Sequence, residues 1–549
     1  MALLRVEGLR VGFSGGGNGP LPGTGGEDDT PAVDGIDLTV ARGETLCLVG
    51  ESGSGKSVTA LALMGLLPGN ARVAAGAAWL DTDGRPVELL GLPTAAHRRL
   101  RGRRMAMIFQ EPMTSLNPVM TVGEQIREVL TIHEPELGVE AARARVLAIM
   151  AQVKLPEPAS RYHEYPHRLS GGQRQRVMIA MALVCEPDLL IADEPTTALD
   201  VTVQAEILAL LRELQERRRM GLLFITHDFG VVAQVAHRVA VMRHGRIVES
   251  GATEALLGAP EHDYTRALLD ALPERRTRGA RPAPAAEALV RFDDLKVHFP
   301  IRRGLLRRVV GHVKAVDGVS LAIPRGGITA LVGESGSGKT TVGRALLRLT
   351  DATDGRIAFD DRDITRLGRR ALRPVRRRLQ AVFQDPYSAL NPRLSLATIL
   401  TEPMAVHGIG RDQAERRERA LAVLEQVDLP VDSLERYAHE FSGGQRQRLG
   451  IARALCLEPD FLLCDEVTSA LDVSVQAGIL DLLLRLRAER GLTILFITHD
   501  LGVVRYLADA VAVMEAGRLV EQGPVAQVLD APREAYTRRL IEAVPRLEG

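Results

Sequence analysis

Short, wholly apolar runs that end in glycine or in carboxylates punctuate this chain, and longer stretches with a helical period separate them. TLCLVG and ITALVG lead into glycine-rich loops, DLLIADE and DFLLCDE end in Asp-Glu, and LLFITHD and ILFITHD end in His-Asp. Runs of this length with no polar alternation predict strands buried on both faces. Between them, apolar positions recur three and four residues apart. Val203, Ile207, Leu210 and Leu214 predict a helix whose apolar stripe covers the sheet. Strands alternating with such helices predict an α/β fold with a largely parallel central sheet.

The pattern occurs twice. GESGSGK ends at Lys56 and again at Lys339, SGGQRQR starts at Ser170 and Ser442, and FITHD carries His227 and His499. The spacing between copies is near constant after the first landmark, which predicts a duplicated domain rather than a solenoid. Residues 1–273 and 288–549 are the two expected domains. The segment between them, 274–287, is rich in Arg, Pro and Ala, lacks an apolar period and predicts a linker. A chain of 549 residues is comfortable for two cores. Two segments break the symmetry. Gly15–Pro31 is Gly-rich with a small acidic patch and predicts a surface loop; Gly304–Lys314 is basic and apolar at the matching place and predicts a solvated hairpin, with lipid headgroups or a partner as its other reading.

Composition narrows the class. The 69 basic residues balance 69 acidic ones, which counts against a nucleic-acid binder. No apolar run reaches the roughly 18 residues that a membrane span needs. The N-terminus MALLRVEGLRVGF lacks the basic, apolar and small-residue regions of a signal peptide, so a chain that stays in the cytoplasm is expected. Cys47, Cys185, Cys456 and Cys464 form no CxxC pair and are expected to pack in the core. Lysine is rare: Lys56, Lys154, Lys296, Lys314 and Lys339 are the only ones, yet two of them occupy equivalent motif positions. Those positions want a compact ammonium rather than a planar fork.

The loops Gly50, Glu51, Ser52, Gly53, Ser54, Gly55, Lys56, Ser57 and Gly333, Glu334, Ser335, Gly336, Ser337, Gly338, Lys339, Thr340 match GxxxxGK[ST] between a strand and a helix. Glycines let backbone N–H groups curl around phosphate oxygens, the lysine reaches the β- and γ-phosphates, and the Ser57 or Thr340 hydroxyl binds Mg²⁺. Asp193 and Asp465 are placed to hold the metal, and Glu194 and Glu466 to orient or deprotonate a water; solvated strand caps are the plainer reading of such carboxylates.

LSGGQ (Leu169–Gln173) and FSGGQ (Phe441–Gln445) resemble the signature of ABC ATPases, although Ser-Gly-Gly is also a plain helix start. The resemblance implies two tandem P-loop domains. Each would have a mostly parallel core, an antiparallel β subdomain and a helical subdomain that carries the signature. It further implies ATP and Mg²⁺ as ligands, with Ser170, Gly171, Gly172, Gln173 and Ser442, Gly443, Gly444, Gln445 capping a γ-phosphate. Gln110 and Gln384 resemble the glutamines that sense the metal and the attacking water. His227 and His499 resemble the switch histidines, and Asp200 and Asp472 the loop that communicates across the pair. Phe13 and Phe299 are candidates for the aromatic that stacks on adenine, core packing being the alternative. The family works as head-to-tail pairs, so Lys56 is expected with Ser442 and Lys339 with Ser170.

QEPMTSLNP, QDPYSALNP, DEPTTALDVTVQAEIL and DEVTSALDVSVQAGIL are similar to the peptide/nickel importer branch. HDYTRALLDALP and EAYTRRLIEAVP resemble its short tail, though neither keeps His-Pro-Tyr-Thr intact. The implied protein is a peripheral ATPase subunit on the cytoplasmic membrane face. Two membrane-spanning permeases and an extracytoplasmic solute-binding protein are its implied partners. The competing class is a soluble tandem ATPase of the translation-factor or DNA-repair type.

Overall fold

Thr45–Val49, Leu189–Asp193 and Gly221–Thr226 are buried at every position, and so are Ile328–Val332, Phe461–Asp465 and Thr493–Ile497. Strands without a wet face must lie inside a covered sheet, and that is where they are found. The computed structural model describes residues 2–14, 31–110, 115–196, 199–277, 279, 285–303, 308–384, 390–469 and 471–545. The Gly-rich stretch 15–30, the linker stretch 280–284 and residues 304–307 lie outside the described residues. The chain separates into two compact units, Met1–Leu199 with Val203–Leu269, and Asp270–Val544.

In the first unit β1 (Ala2–Phe13), β2 (Val33–Ala41), β4 (Ala71–Thr82) and β5 (Arg85–Glu88) form an antiparallel sheet in the order β2-β1-β4-β5. The second sheet holds β3 (Thr45–Val49), β6 (Met105–Ile108), β7 (Leu189–Asp193), β8 (Gly221–Thr226), β9 (Arg238–Arg243) and β10 (Arg246–Ala252). Its order is β10-β9-β3-β8-β7-β6, parallel except for the β9–β10 edge hairpin. A packed core of Leu4, Val6, Leu9, Leu48, Leu63 and Ile191 lies between the two sheets.

The second unit repeats the plan. β11 (Ala288–Arg303), β12 (Arg308–Pro324), β14 (Asp354–Phe359) and β15 (Arg362–Asp363) build the antiparallel sheet. β13 (Ile328–Val332), β16 (Leu379–Val382), β17 (Phe461–Asp465), β18 (Thr493–Ile497), β19 (Ala510–Glu515) and β20 (Arg518–Pro524) build the mainly parallel one.

A helical layer completes each unit: Val122–His133, Val139–Gln152 and Gly171–Leu183 in the first, Leu396–His407, Gln413–Gln426 and Gly443–Leu455 in the second. The helix Val201–Arg218 buries Ile207, Leu210 and Leu214, as its period predicts. The α/β architecture expected from the sequence is therefore present in both copies. All four cysteines are buried, which agrees with their reading as core residues. Among the described residues no helix is long and apolar enough to cross a membrane.

Candidate functional site

At the end of β3 the chain turns through Gly50 (φ 151°), Gly53 (φ 79°) and Gly55 (φ 103°) into the helix Lys56–Leu63; Gly333 (φ 148°), Gly336 (φ 83°) and Gly338 (φ 105°) do the same before Lys339–Leu346. Glycine is required there on two grounds. The backbone is left-handed, and a Cβ on Gly50 would come 2.1 Å from the Met242 carbonyl oxygen, one on Gly333 2.2 Å from that of Met514. The loop closes on its own lysine. Lys56 Nζ donates to the carbonyls of Gly50 (2.7 Å) and Glu51 (2.9 Å), and Lys339 Nζ to those of Gly333 (2.8 Å) and Glu334 (2.9 Å). Both lysines are buried, and burial draws the Lys339 ammonium below its usual range.

Beside each loop stands the carboxylate pair. Ser57 Oγ donates to Asp193 at 3.0 Å and Thr340 Oγ1 to Asp465 at 3.2 Å. Burial raises both aspartates above the usual carboxylate range, and the hydroxyl bonds only partly offset it. A carboxylate held this way gains from a nearby cation. A hydroxyl and one carboxylate, completed by substrate phosphates, is a donor set that suits Mg²⁺.

The next residues, Glu194 (φ 47°) and Glu466 (φ 50°), are left-handed although neither is glycine. Such a backbone costs about 1–3 kcal/mol and persists where the surroundings enforce it. Here the Glu194 N–H is fixed on Ile225 O and that of Glu466 on Ile497 O, both at 2.9 Å. The twist turns each carboxylate toward two partners from other elements. Gln110 Nε2 donates to Glu194 and Gln384 Nε2 to Glu466, each at 2.8 Å. His227 Nδ1 lies 3.1 Å from Glu194 and His499 Nδ1 3.7 Å from Glu466. The neighbouring His499 holds the Glu466 carboxyl below its ordinary value. Burial alone would lower His499, but the Glu466 charge outweighs it and raises the imidazole.

The structure thus brings together, in each unit, the phosphate loop, Asp-Glu, the glutamine and the histidine. The signature lies on another element. Ser170 caps the helix Gly171–Leu183 in a capping box with Gln173, and Ser442 caps Gly443–Leu455 with Gln445. The two glycines of each signature differ in role. A Cβ on Gly172 would strike Val203 Cγ1 at 2.4 Å and one on Gly444 would strike Val475 Cγ1 at 2.2 Å, whereas Gly443 has no atom within 4 Å of such a carbon and the nearest to Gly171 is at 3.7 Å. The second glycine is spent on packing, and the first leaves the helix start open. Phe13 and Phe299 are 38% and 44% exposed on β1 and β11, which disfavours the core reading of both.

One pair of residues escapes the motif-based view. Tyr264, in the tail helix Asp263–Asp270, places its hydroxyl 3.4 Å from the Glu51 N–H and 3.1 Å from the Glu51 carboxylate. Tyr536, in Ala535–Glu542, accepts from the Glu334 N–H at 3.0 Å. The one available signal is the Tyr-Thr that both tails share.

A family model described as ABC transporter matches residues 33–197 and 316–469, and one described as oligopeptide/dipeptide transporter, C-terminal region, matches 248–291 and 520–549. The chain is 49% identical over 549 residues to a peptidoglycan transport ATP-binding protein, YejF, of Agrobacterium fabrum, covering 100% of this chain and 97% of that one. It is 48% identical over 542 residues to a glutathione import ATP-binding protein, GsiA, of Pectobacterium atrosepticum, covering 94% and 87%. It is 47% identical over 546 residues to an uncharacterized ABC transporter ATP-binding protein, YejF, of Escherichia coli, covering 98% and 99%.

Proposed function

Because the chain belongs to the ABC transporter family, as an ATP-binding subunit that energises import, we propose that it drives uptake of peptides or related small solutes through two membrane-spanning permeases. An extracytoplasmic solute-binding protein delivers the cargo, and the chain sits peripherally on the cytoplasmic face. Support for the cargo class comes from the tail segments, which match the oligopeptide/dipeptide transporter model, and from relatives named for peptidoglycan and glutathione transport. The same matches leave the soluble translation-factor or repair class without support.

Lys56 and Lys339, with the loop N–H groups, bind the ATP phosphates. Ser57, Asp193 and Gln110 in one copy, and Thr340, Asp465 and Gln384 in the other, would hold Mg²⁺, which neutralises charge on the transferring phosphoryl group. Glu194 and Glu466 orient the attacking water and take its proton. His227 and His499 hold that glutamate and face the γ-phosphate, and Phe13 and Phe299 carry the adenine. Each signature, Ser170–Gln173 and Ser442–Gln445, serves the other domain's nucleotide, in the head-to-tail manner of the family. Replacing Ser170 should therefore impair nucleotide trapping on the Lys339 loop; loss on the Lys56 loop instead would refute that pairing.

The observation that carries the ATPase reading is the repeated Gln–Glu–His arrangement beside a phosphate loop. Glu194→Gln combined with Glu466→Gln keeps the size and shape of each side chain and removes the base. Steady-state hydrolysis should fall by about 10²–10⁴ while ATP still binds. Turnover at the wild-type rate would sink the base assignment.

A further inference from the structure

Each tail helix sets a tyrosine against the phosphate loop of its own unit, and the contact recurs in both units. The peptide group that joins Gly50 to Glu51 is gripped on both edges. Its carbonyl oxygen accepts from Lys56 Nζ at 2.7 Å, and its N–H points at the Tyr264 hydroxyl 3.4 Å away. The peptide between Gly333 and Glu334 repeats this with Lys339 Nζ at 2.8 Å and Tyr536 at 3.0 Å. In a trans peptide the oxygen and the hydrogen lie on opposite edges. The two bonds therefore fix the plane's rotation, and each polarises the amide in favour of the other.

Each tyrosine is itself held in place. Tyr264 is 8% exposed and Tyr536 6%. The Arg243 guanidinium lies 4.6 Å over the Tyr264 ring. The start of each tail is pinned to the edge strand of its own sheet. Glu249 on β10 accepts from the N–H groups of Glu261 (2.8 Å) and His262 (3.2 Å), and Glu521 on β20 from those of Arg533 (2.9 Å) and Glu534 (3.2 Å). Burial raises both phenols, Tyr536 to about 12, so neither hydroxyl loses its proton at neutral pH. A continuous path thus runs from edge strand to tail helix, tyrosine, loop peptide and lysine.

We propose that Tyr264 and Tyr536 are positioning residues for the nucleotide, setting the peptide that presents Lys56 and Lys339, so that the tail helices tune ATP affinity. Neither tyrosine touches the reacting atoms. The effect belongs in binding rather than in the chemical step.

The inference rests on the ATPase reading above, and one experiment separates the two. Tyr264→Phe, Tyr536→Phe and the double variant, each in the full chain, keep the buried ring and remove only the hydroxyl. Tyr506→Phe is the control: it removes an equally buried hydroxyl, bonded to Asp481 at 2.6 Å, outside the loop. For the double variant, the KM for ATP should rise about three- to tenfold, the usual effect of losing the hydrogen bond to the loop N–H at each site. Its kcat should stay within about twofold and its Tm close to wild type, and Tyr506→Phe should leave KM unchanged. An unchanged KM in the double variant, or an equal rise in Tyr506→Phe, overturns this inference and leaves the ATPase reading standing. A wild-type chain that neither binds nor hydrolyses ATP overturns both.

Discussion

Two of the five lysines, in a chain with 69 basic residues, show how much a single side chain is asked to do. Lys56 and Lys339 are 6% and 5% exposed, each with its ammonium between two carbonyls at 2.7 to 2.9 Å. A guanidinium carries the same charge on a wide planar fork, which cannot enter that ring without opening it. Lys56→Arg and Lys339→Arg should each weaken ATP binding at the altered loop by at least about tenfold, roughly 1.4 kcal/mol or more. Equilibrium titration with a fluorescent ATP analogue measures this; a Kd within twofold of wild type would show that charge alone suffices. Lys296 and Lys314 only form ion pairs on the rim, with Asp294 at 2.8 Å and Asp317 at 3.4 Å. Arginine there should be neutral. The rarity of lysine made this demand visible from sequence. The tyrosines behind it were not visible, because Tyr264 lies 213 residues from Glu51 and Tyr536 lies 202 from Glu334, and no local pattern spans such a distance.

The helices show where a motif and a packing rule share residues. The period of Val203, Ile207, Leu210 and Leu214 was enough to predict a covering helix, but it did not reveal that Val203 packs against the signature. Gly172→Ala would drive a methyl to 2.4 Å from Val203, and Gly444→Ala one to 2.2 Å from Val475. Such overpacking costs about 1–3 kcal/mol. Either variant should lower Tm, and Val203→Ala or Val475→Ala should restore part of the loss in a double-mutant cycle. Strict additivity would deny the contact.

On the hairpin of β11 and β12, Asp317 gathers Arg518 (2.8 Å), His298 (3.0 Å) and Lys314 (3.4 Å). The Arg518 bond, followed by those of His298 and Lys314, holds its carboxyl at about 2, below the ordinary value of about 3.9 in an unfolded chain. A depressed carboxylate stabilises the fold above the unfolded value, and that contribution fades as pH falls through the folded one. Asp317→Asn should therefore lower Tm at pH 7, and the gap to wild type should close between about pH 4 and pH 2. A gap that does not change with pH would assign the effect to packing.

Across the whole molecule, duplication is what made the sequence legible. A lone GxxxxGK[ST] or Ser-Gly-Gly is ambiguous, but the same ordered set met twice leaves little room for chance. Duplication also raises the question of whether both copies work. Loop closure, Ser/Thr–Asp contact and Gln–Glu bond agree between the units to within a few tenths of an ångström. Beside the catalytic carboxylate candidates the histidines differ: at 3.1 Å His227 is within hydrogen-bond reach of Glu194, whereas His499 at 3.7 Å from Glu466 is an ion pair. An ion pair keeps the charge on which the role proposed for the histidine depends, so the difference should cost little. Glu194→Gln and Glu466→Gln, made singly in the full chain, should lower steady-state ATP hydrolysis to the same level within about twofold, since each removes the proton acceptor proposed for its copy. If one variant retained wild-type turnover while the other abolished it, one copy would be idle with all its parts in place. The cause would then lie in the contact that differs, and shortening the His499–Glu466 distance would be the change to attempt.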